Sequence, residues 1–192
     1  MKTHEIIGFK RANLGKSTVK ALRDDSQVPC VLYGGEEQIH FSVPMILFRG
    51  LVYTPEAHIA ELNIEGKIYR AILQDIQIHP VNELILHADF LLLKDDKEVK
   101  MEIPVKLVGT APGVQKGGKL YPKLRKIKIK SLPKNLPDYI EVDITGLDLG
   151  KSVKVGDVKA DNFTILNSPL VSIATVEVPR ALRGKTGEEE GK

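Results

Sequence analysis

Four consecutive charged residues, Lys94-Asp95-Asp96-Lys97, interrupt a 192-residue chain whose apolar residues otherwise recur mainly at strand spacing. A run with nothing to bury does not sit inside a packed sheet, so it divides the chain into two stretches, each long enough for a modest core. This predicts a first domain over residues 1–95 and a β-rich second domain over 96–180. Residues 181–192 hold almost nothing apolar and include Glu188-Glu189-Glu190, the composition of a disordered tail.

Before the break, strands are predicted over 5–10, 28–33, 38–43, 59–64, 67–78 and 84–93. Gly34-Gly35 ends the second of these, and Glu65-Gly66 makes a tight hairpin between the fourth and fifth. The 38–43 strand alternates like an edge strand. Ser42 is expected to cap a helix starting near Pro44 that turns Ile46, Leu47, Phe48, Leu51 and Val52 inward. Alternation from residue 84 puts Leu84, Leu86, Ala88 and Phe90 on a buried face and His87 and Asp89 on the other. Gln74 shares parity with Ile72, Ile76 and Ile78, so either a bulge turns it out or a buried amide serves a function.

Beyond the break, a strand over 99–108 is expected to be broken by Pro104, with turns at Ala111-Pro112-Gly113 and Gly117-Gly118. The 125–131 segment alternates, with Ile127 and Ile129 inward and Lys126, Lys128 and Lys130 outward. Further strands are expected over 139–144 and 170–178. The fold class is α+β.

Charge gives the first functional direction. The net charge is only +3, yet residues 10–23 carry five positive charges and no negative one. Within the helix expected there, Lys16, Lys20 and Arg23 are spaced i, i+4, i+7 and share a face, while Val19 and Leu22 turn toward a core. A second run, 103–137, holds nine Lys or Arg and no acid. Two separate basic patches on a balanced protein fit positioned contacts with nucleic acid.

Other chemistries fit poorly. Gly15-Lys16-Ser17-Thr18 lacks the glycine a phosphate-binding loop needs five residues before its Gly-Lys pair, where Lys10 stands. His87-Ala88-Asp89 has no histidine downstream to complete a metal triad, since the five histidines are at 4, 40, 58, 79 and 87. The single cysteine, Cys30, excludes internal disulfides, fits a reducing cytosol and lies in an apolar run suited to an inert buried thiol. The first residues do not form a signal peptide, and no run reaches a membrane-spanning length of roughly 18 apolar residues. A cytoplasmic protein with no metal, cofactor or membrane partner is expected, and an enzyme ranks third among the functional readings.

Taken in order, Arg11, Gly15-Lys16, Leu22-Arg23, Val28-Pro29, Tyr33-Gly34, Gln74-Asp75-Ile76-Gln77, His79-Pro80 and His87-x-Asp89-Phe90 resemble the L-twenty-five family of bacterial large-subunit ribosomal proteins, which bind 5S rRNA. Ile103-Pro104-Val105, Gly109-x-Ala111-x-Gly113-Val114, Gly117-Gly118-x-Leu120, Leu136-Pro137, Ile140-x-Val142-Asp143 and Leu149-Gly150-x-Ser152 resemble its long, two-domain form, called Ctc or TL-five. The resemblance implies an N-terminal β-barrel-like domain with flanking helices that lies in the widened minor groove of the loop E region of 5S rRNA, within the central protuberance. It also implies RNA contacts at Arg11, Lys16, Lys20, Arg23, Tyr33, Gln74, His87 and Asp89. Lys20 stands where arginine is common in the family, so a point charge replaces a planar fork; Cys30 stands in place of a usual alanine. The resemblance implies a non-enzymatic ribosomal component. The alternative is a general stress RNA-binding protein acting off the ribosome. RNA recognition is expected within residues 1–95 alone. The lysine stripe of the second domain, with Tyr121 and Tyr139 outside its strand, is expected to touch a neighbouring ribosomal surface.

Overall fold

The computed structural model describes residues 1–159 and 162–179, so the tail expected over 181–192 lies outside the described residues. There are two compact units: Met1–Met101 with Leu132–Asp138, and Glu102–Ser131 with the described residues from Tyr139 on.

The first unit is a closed six-stranded barrel. Its elements are β1 (Lys2–Lys10), α1 (Lys16–Asp24), β2 (Gln27–Tyr33), β3 (Ile39–Pro44), a 3-10 turn (Met45–Phe48), α2 (Arg49–Val52), β4 (His58–Ile64), β5 (Lys67–Ile78) and β6 (Ile85–Leu92). Around the barrel the order is β1-β3-β2-β6-β5-β4. β1 meets β4 and β2 meets β6 in parallel, and the other neighbours are antiparallel. Closure removes every edge. The strand expected to be edge-like, β3, is therefore bonded on both sides, to β1 and β2.

The interior is filled from inward positions of all six strands. Phe41 and Phe90 have ring centroids 5.9 Å apart, and Phe48 lies 6.2 Å from Phe90. These three fully buried rings form the centre, packed about with Ile6, Val28, Leu32 and Leu62. Gly8 makes room for them, since a Cβ there would stand 2.6 Å from Cδ2 of Phe41. At the hairpin between β4 and β5, Glu65 and Gly66 both have positive φ, 51° and 84°, the backbone a two-residue hairpin turn requires.

Three local expectations are corrected. Ser42 is buried within β3 and caps nothing; its place in the ladder commits it to the sheet, and Pro44 precedes the 3-10 turn. The single helix expected after Pro44 is that turn followed by the one-turn α2, with Phe48 and Leu51 inward but Ile46 69 % exposed. Along β6, Ile85 is buried while Leu84 is exposed and Leu86 half-buried. The reason is a register shift: Gln77 pairs with His87 and Ile78 with Ile85, leaving Leu86 as an extra residue that reverses parity upstream of His87. A second shift, on β5, settles the Gln74 question. Leu73 pairs with Phe90 and Asp75 with Asp89, so Gln74 is the bulged residue and is exposed.

The second unit is built on two sheets. β7 (Val99–Val108, part of this unit from Glu102 on), β9 (Lys126–Ser131), β10 (Ile140–Asp143) and β12 (Thr164–Ile165) form one, in the order β10-β7-β9-β12. β8 (Lys119–Pro122), β11 (Ser152–Lys154) and β13 (Ser172–Glu177) form the other, in the order β11-β13-β8. β7 runs unbroken through Pro104. Its parallel pairing with β10 starts at Val105, so in that register the proline ring displaces no donor. The turn expected at Ala111-Pro112-Gly113 is instead the start of a one-turn helix, α3 (Pro112–Gln115), with proline in its first turn, where no intrahelical donor is needed. Ile127 and Ile129 are fully buried and Lys126 and Lys128 exposed, as their alternation requires.

Gly8→Ala should destabilise the protein by about 1–3 kcal/mol, because the added methyl overpacks the Phe41 side of the barrel. Urea denaturation measures this; a loss below about 0.5 kcal/mol would mean that Phe41 repacks freely.

Candidate nucleic-acid interface

The strands that close the middle of the barrel also present its polar outer face. In β2, Val28, Cys30 and Leu32 point into the core, so Val31 and Tyr33 point out. The parallel register sets Val31 beside Asp89 and Tyr33 beside Leu91. On either side, Val31 pairs with His40 and Asp89 with Asp75, so His40, Val31, Asp89 and Asp75 form one row across β3, β2, β6 and β5. Gln77 faces His87 in the adjoining position.

His87 and Asp89, two residues apart on one strand, project the same way and touch. His87 Nδ1 lies 2.7 Å from Asp89 Oδ1, and each side chain is about a third exposed. Asp75 Oδ1 accepts the Ile76 N–H at 2.9 Å, which holds its carboxylate beside the Gln74 bulge. The Tyr33 hydroxyl is pushed above its ordinary pKa by burial first, then by the charges of Asp89 and Asp75. It stays protonated at neutral pH and available as a donor. The buried Cys30 thiol is raised likewise, by burial and then by Asp89, with Arg11 opposing; it is an inert thiol, as expected.

Cations border this face. Arg23, near the end of α1, donates from Nε and Nη2 to the Leu86 carbonyl at 3.1 and 2.9 Å. Leu86 is the bulged residue of β6, so the arginine fork ties α1 to the irregularity next to His87. The Arg11 N–H donates to the His40 carbonyl at 2.9 Å, placing Arg11 at the end of the row, with its Nη2 on the Asn13 carbonyl at 3.2 Å. Lys16 and Lys20 are exposed on α1 and, among the described residues, form no ion pair. Val19 and Leu22 are half-buried beneath them. The helix starts at Gly15 with no side-chain cap and no acid in its first turn, which leaves its positive end open to an anion.

Tyr33, His87 and Asp89 thus share one face, with Gln74 on the bulge next to Asp75 and with Arg11 and Arg23 anchored at its margin. Lys16 and Lys20 extend the positive charge along α1. Such a surface offers phosphate-neutralising charges around a patch of directional donors and acceptors. Among the described residues no group of three or more His, Cys, Asp or Glu could hold a metal ion, and no helix is long and apolar enough to cross a membrane. Sequence reasoning singled out neither Asp75, as the register partner of Asp89, nor the Leu86 carbonyl, as the Arg23 anchor. Both depend on the bulges, which hydrophobic spacing does not report.

A family model described as the Ribosomal L25p family matches residues 6–90, and one described as Ribosomal protein TL5, C-terminal domain matches residues 98–180. Whole-chain relatives agree. The large ribosomal subunit protein bL25 of Amoebophilus asiaticus is 57% identical over 192 residues, covering 100% of this chain and 98% of the relative. The protein of the same description from Cytophaga hutchinsonii is 58% identical over 183 residues, 95% of each chain. That of Bacteroides fragilis is 42% identical over 189 residues, 96% of each.

Replacing Arg23 by lysine keeps the charge and loses the fork. Arg23→Lys should lower stability by about 0.5–1.5 kcal/mol. Amide hydrogen exchange should speed up in α1 while β4 stays protected. Unchanged exchange in α1 would show that the Leu86 contact does not hold the helix.

Proposed function

Since the chain belongs to the ribosomal L25p family, in the form that carries a TL5 C-terminal domain, we propose that it is a structural constituent of the large ribosomal subunit that binds 5S rRNA on the minor-groove side of loop E and helps form the central protuberance. The protein is not an enzyme, and it works in the cytoplasm with the ribosome. The observation that carries the RNA reading is the outer face of β2 and β6, where Tyr33, His87 and Asp89 stand together beside the arginine-anchored α1.

The roles divide by chemistry. Arg11, Lys16, Lys20 and Arg23 neutralise phosphates and fix register, with Lys20 acting as a point charge. Tyr33, Gln74, His87 and Asp89 are the side chains able to discriminate, because RNA offers base edges and 2′-hydroxyls to directional partners. Asp89 is the most telling. A carboxylate next to a polyanion is repelled unless it accepts from a base amino or imino group. Residues 1–95 contain all six barrel strands and every proposed contact. The second domain, over 96–180, is assigned a neighbouring ribosomal surface, where it adds avidity in the assembled particle.

Capture of the protein with its bound RNA, followed by sizing of that RNA, tests the reading directly; a stoichiometric band in salt-washed large subunits distinguishes it from a role off the ribosome. The logarithm of the binding constant should fall against log salt with a slope of roughly −3 to −4 if the four cations each meet a phosphate. Asp89→Asn and His87→Ala should each cost about 1–3 kcal/mol on 5S rRNA and less on a generic duplex. Equal losses on both would reassign these two residues to the fold. A folded fragment ending at Asp95 should bind 5S rRNA within about tenfold of the full chain, or 1.4 kcal/mol. A hundredfold loss would overturn the division of labour.

A further inference from the structure

We infer that Asp75 is a specificity-determining residue of the RNA face, acting by repulsion: together with Asp89 it forms a carboxylate pair that penalises phosphate backbone and admits only RNA presenting hydrogen-bond donors. This rests on the reading that the face binds RNA.

Asp75 lies directly opposite Asp89 in the β5–β6 register. Like charges so placed destabilise a sheet, and no cation pairs with Asp75 among the described residues. The fold has a use for its side-chain oxygen, since Oδ1 accepts the Ile76 N–H at 2.9 Å. An asparagine would meet that need without charge. The negative charge itself therefore has no part in holding the bulge, while it reaches the outer face: after burial and the charge of Asp89, it adds to the upward push on the Tyr33 hydroxyl's pKa.

Around this pair stand His87, in contact with Asp89, and the cations Arg11 and Arg23. Those cations draw in any RNA, because phosphates are common to all of it. Two adjacent carboxylates within the cationic border make a phosphate in the wrong place costly, and they are satisfied only where base amino groups, imino groups or 2′-hydroxyls face them. Discrimination then comes from an element that disfavours wrong partners as well as from contacts to the right one.

Asp75→Asn isolates the charge, because its amide oxygen still accepts from Ile76. Dissociation constants are measured for the full chain and the variant against 5S rRNA and against a generic RNA duplex of equal length, at low and high salt. At low salt the variant should bind the generic duplex about three- to tenfold more tightly and 5S rRNA no more tightly, so the preference for 5S rRNA falls by up to about tenfold. The change should fade at roughly 0.5 M salt, where surface charges are screened and a purely structural effect would persist. The variant should also melt at a higher temperature, having lost the cross-strand repulsion. Asp75→Ser, neutral and still an acceptor, should behave alike and serves if the asparagine variant does not fold. An unaltered preference in a folded variant, or an equal shift on both RNAs, overturns the role of Asp75. Absence of any preference in the unsubstituted protein would instead overturn the RNA reading beneath it.

Discussion

The parallel contact between β2 and β6 holds the rest of the first unit in place. It sets Cys30 against Ala88 and Leu32 against Phe90 on the inside, and Val31 against Asp89 on the outside. The inner pairs surround the Phe41–Phe90–Phe48 cluster, and the outer pair aligns the polar row. Because strand side chains alternate with a period of two, core and candidate site are fixed by the same register. A slip of one residue would bury Asp89 and expose Phe90, an error costly in both solvation and packing.

Two bulges shape this regular frame at the candidate site. The extra residue on β5 turns Gln74 outward and lets Asp75 oppose Asp89. The extra residue on β6 restores Ile85 to the interior, and its carbonyl is taken by Arg23. Each bulge breaks the ladder locally, yet each is secured by a side chain, Asp75 on the Ile76 amide and Arg23 on the Leu86 carbonyl. Irregularity held in this way is typical where a sheet aims side chains at a partner.

Electrostatically, the barrel face is not a uniform basic surface. Arg11 and Arg23 lie at its border, with Lys16 and Lys20 along the adjoining helix, while Asp75 and Asp89 lie in the row between and His87 in the position next to it. On the RNA reading proposed above, the positive charge would attract any polyanion, and the central acids and donors would decide which one is accepted. The second unit differs. Its lysines on β9 alternate with fully buried isoleucines, Lys128 lies 3.5 Å from Glu102, and Lys106 sits 4.9 Å from the ring centroid of Tyr139.

The sequence by itself determined the positions and type of most barrel strands, the Glu65-Gly66 hairpin, the α1 cationic face and the inward isoleucines of β9. Each rests on local periodicity or turn chemistry, which a single strand or helix expresses without its neighbours. The ordered series of short motifs also determined the family. Tertiary structure alone decided that β3 has no free edge, that Leu84 and Leu86 leave the core to Ile85, that Pro104 passes through an unbroken strand, and that Asp75 confronts Asp89. All four depend on which strands pair and in what register. Pairing joins residues far apart in the chain, and one extra residue in a ladder reverses the parity on which a reading of spacing depends.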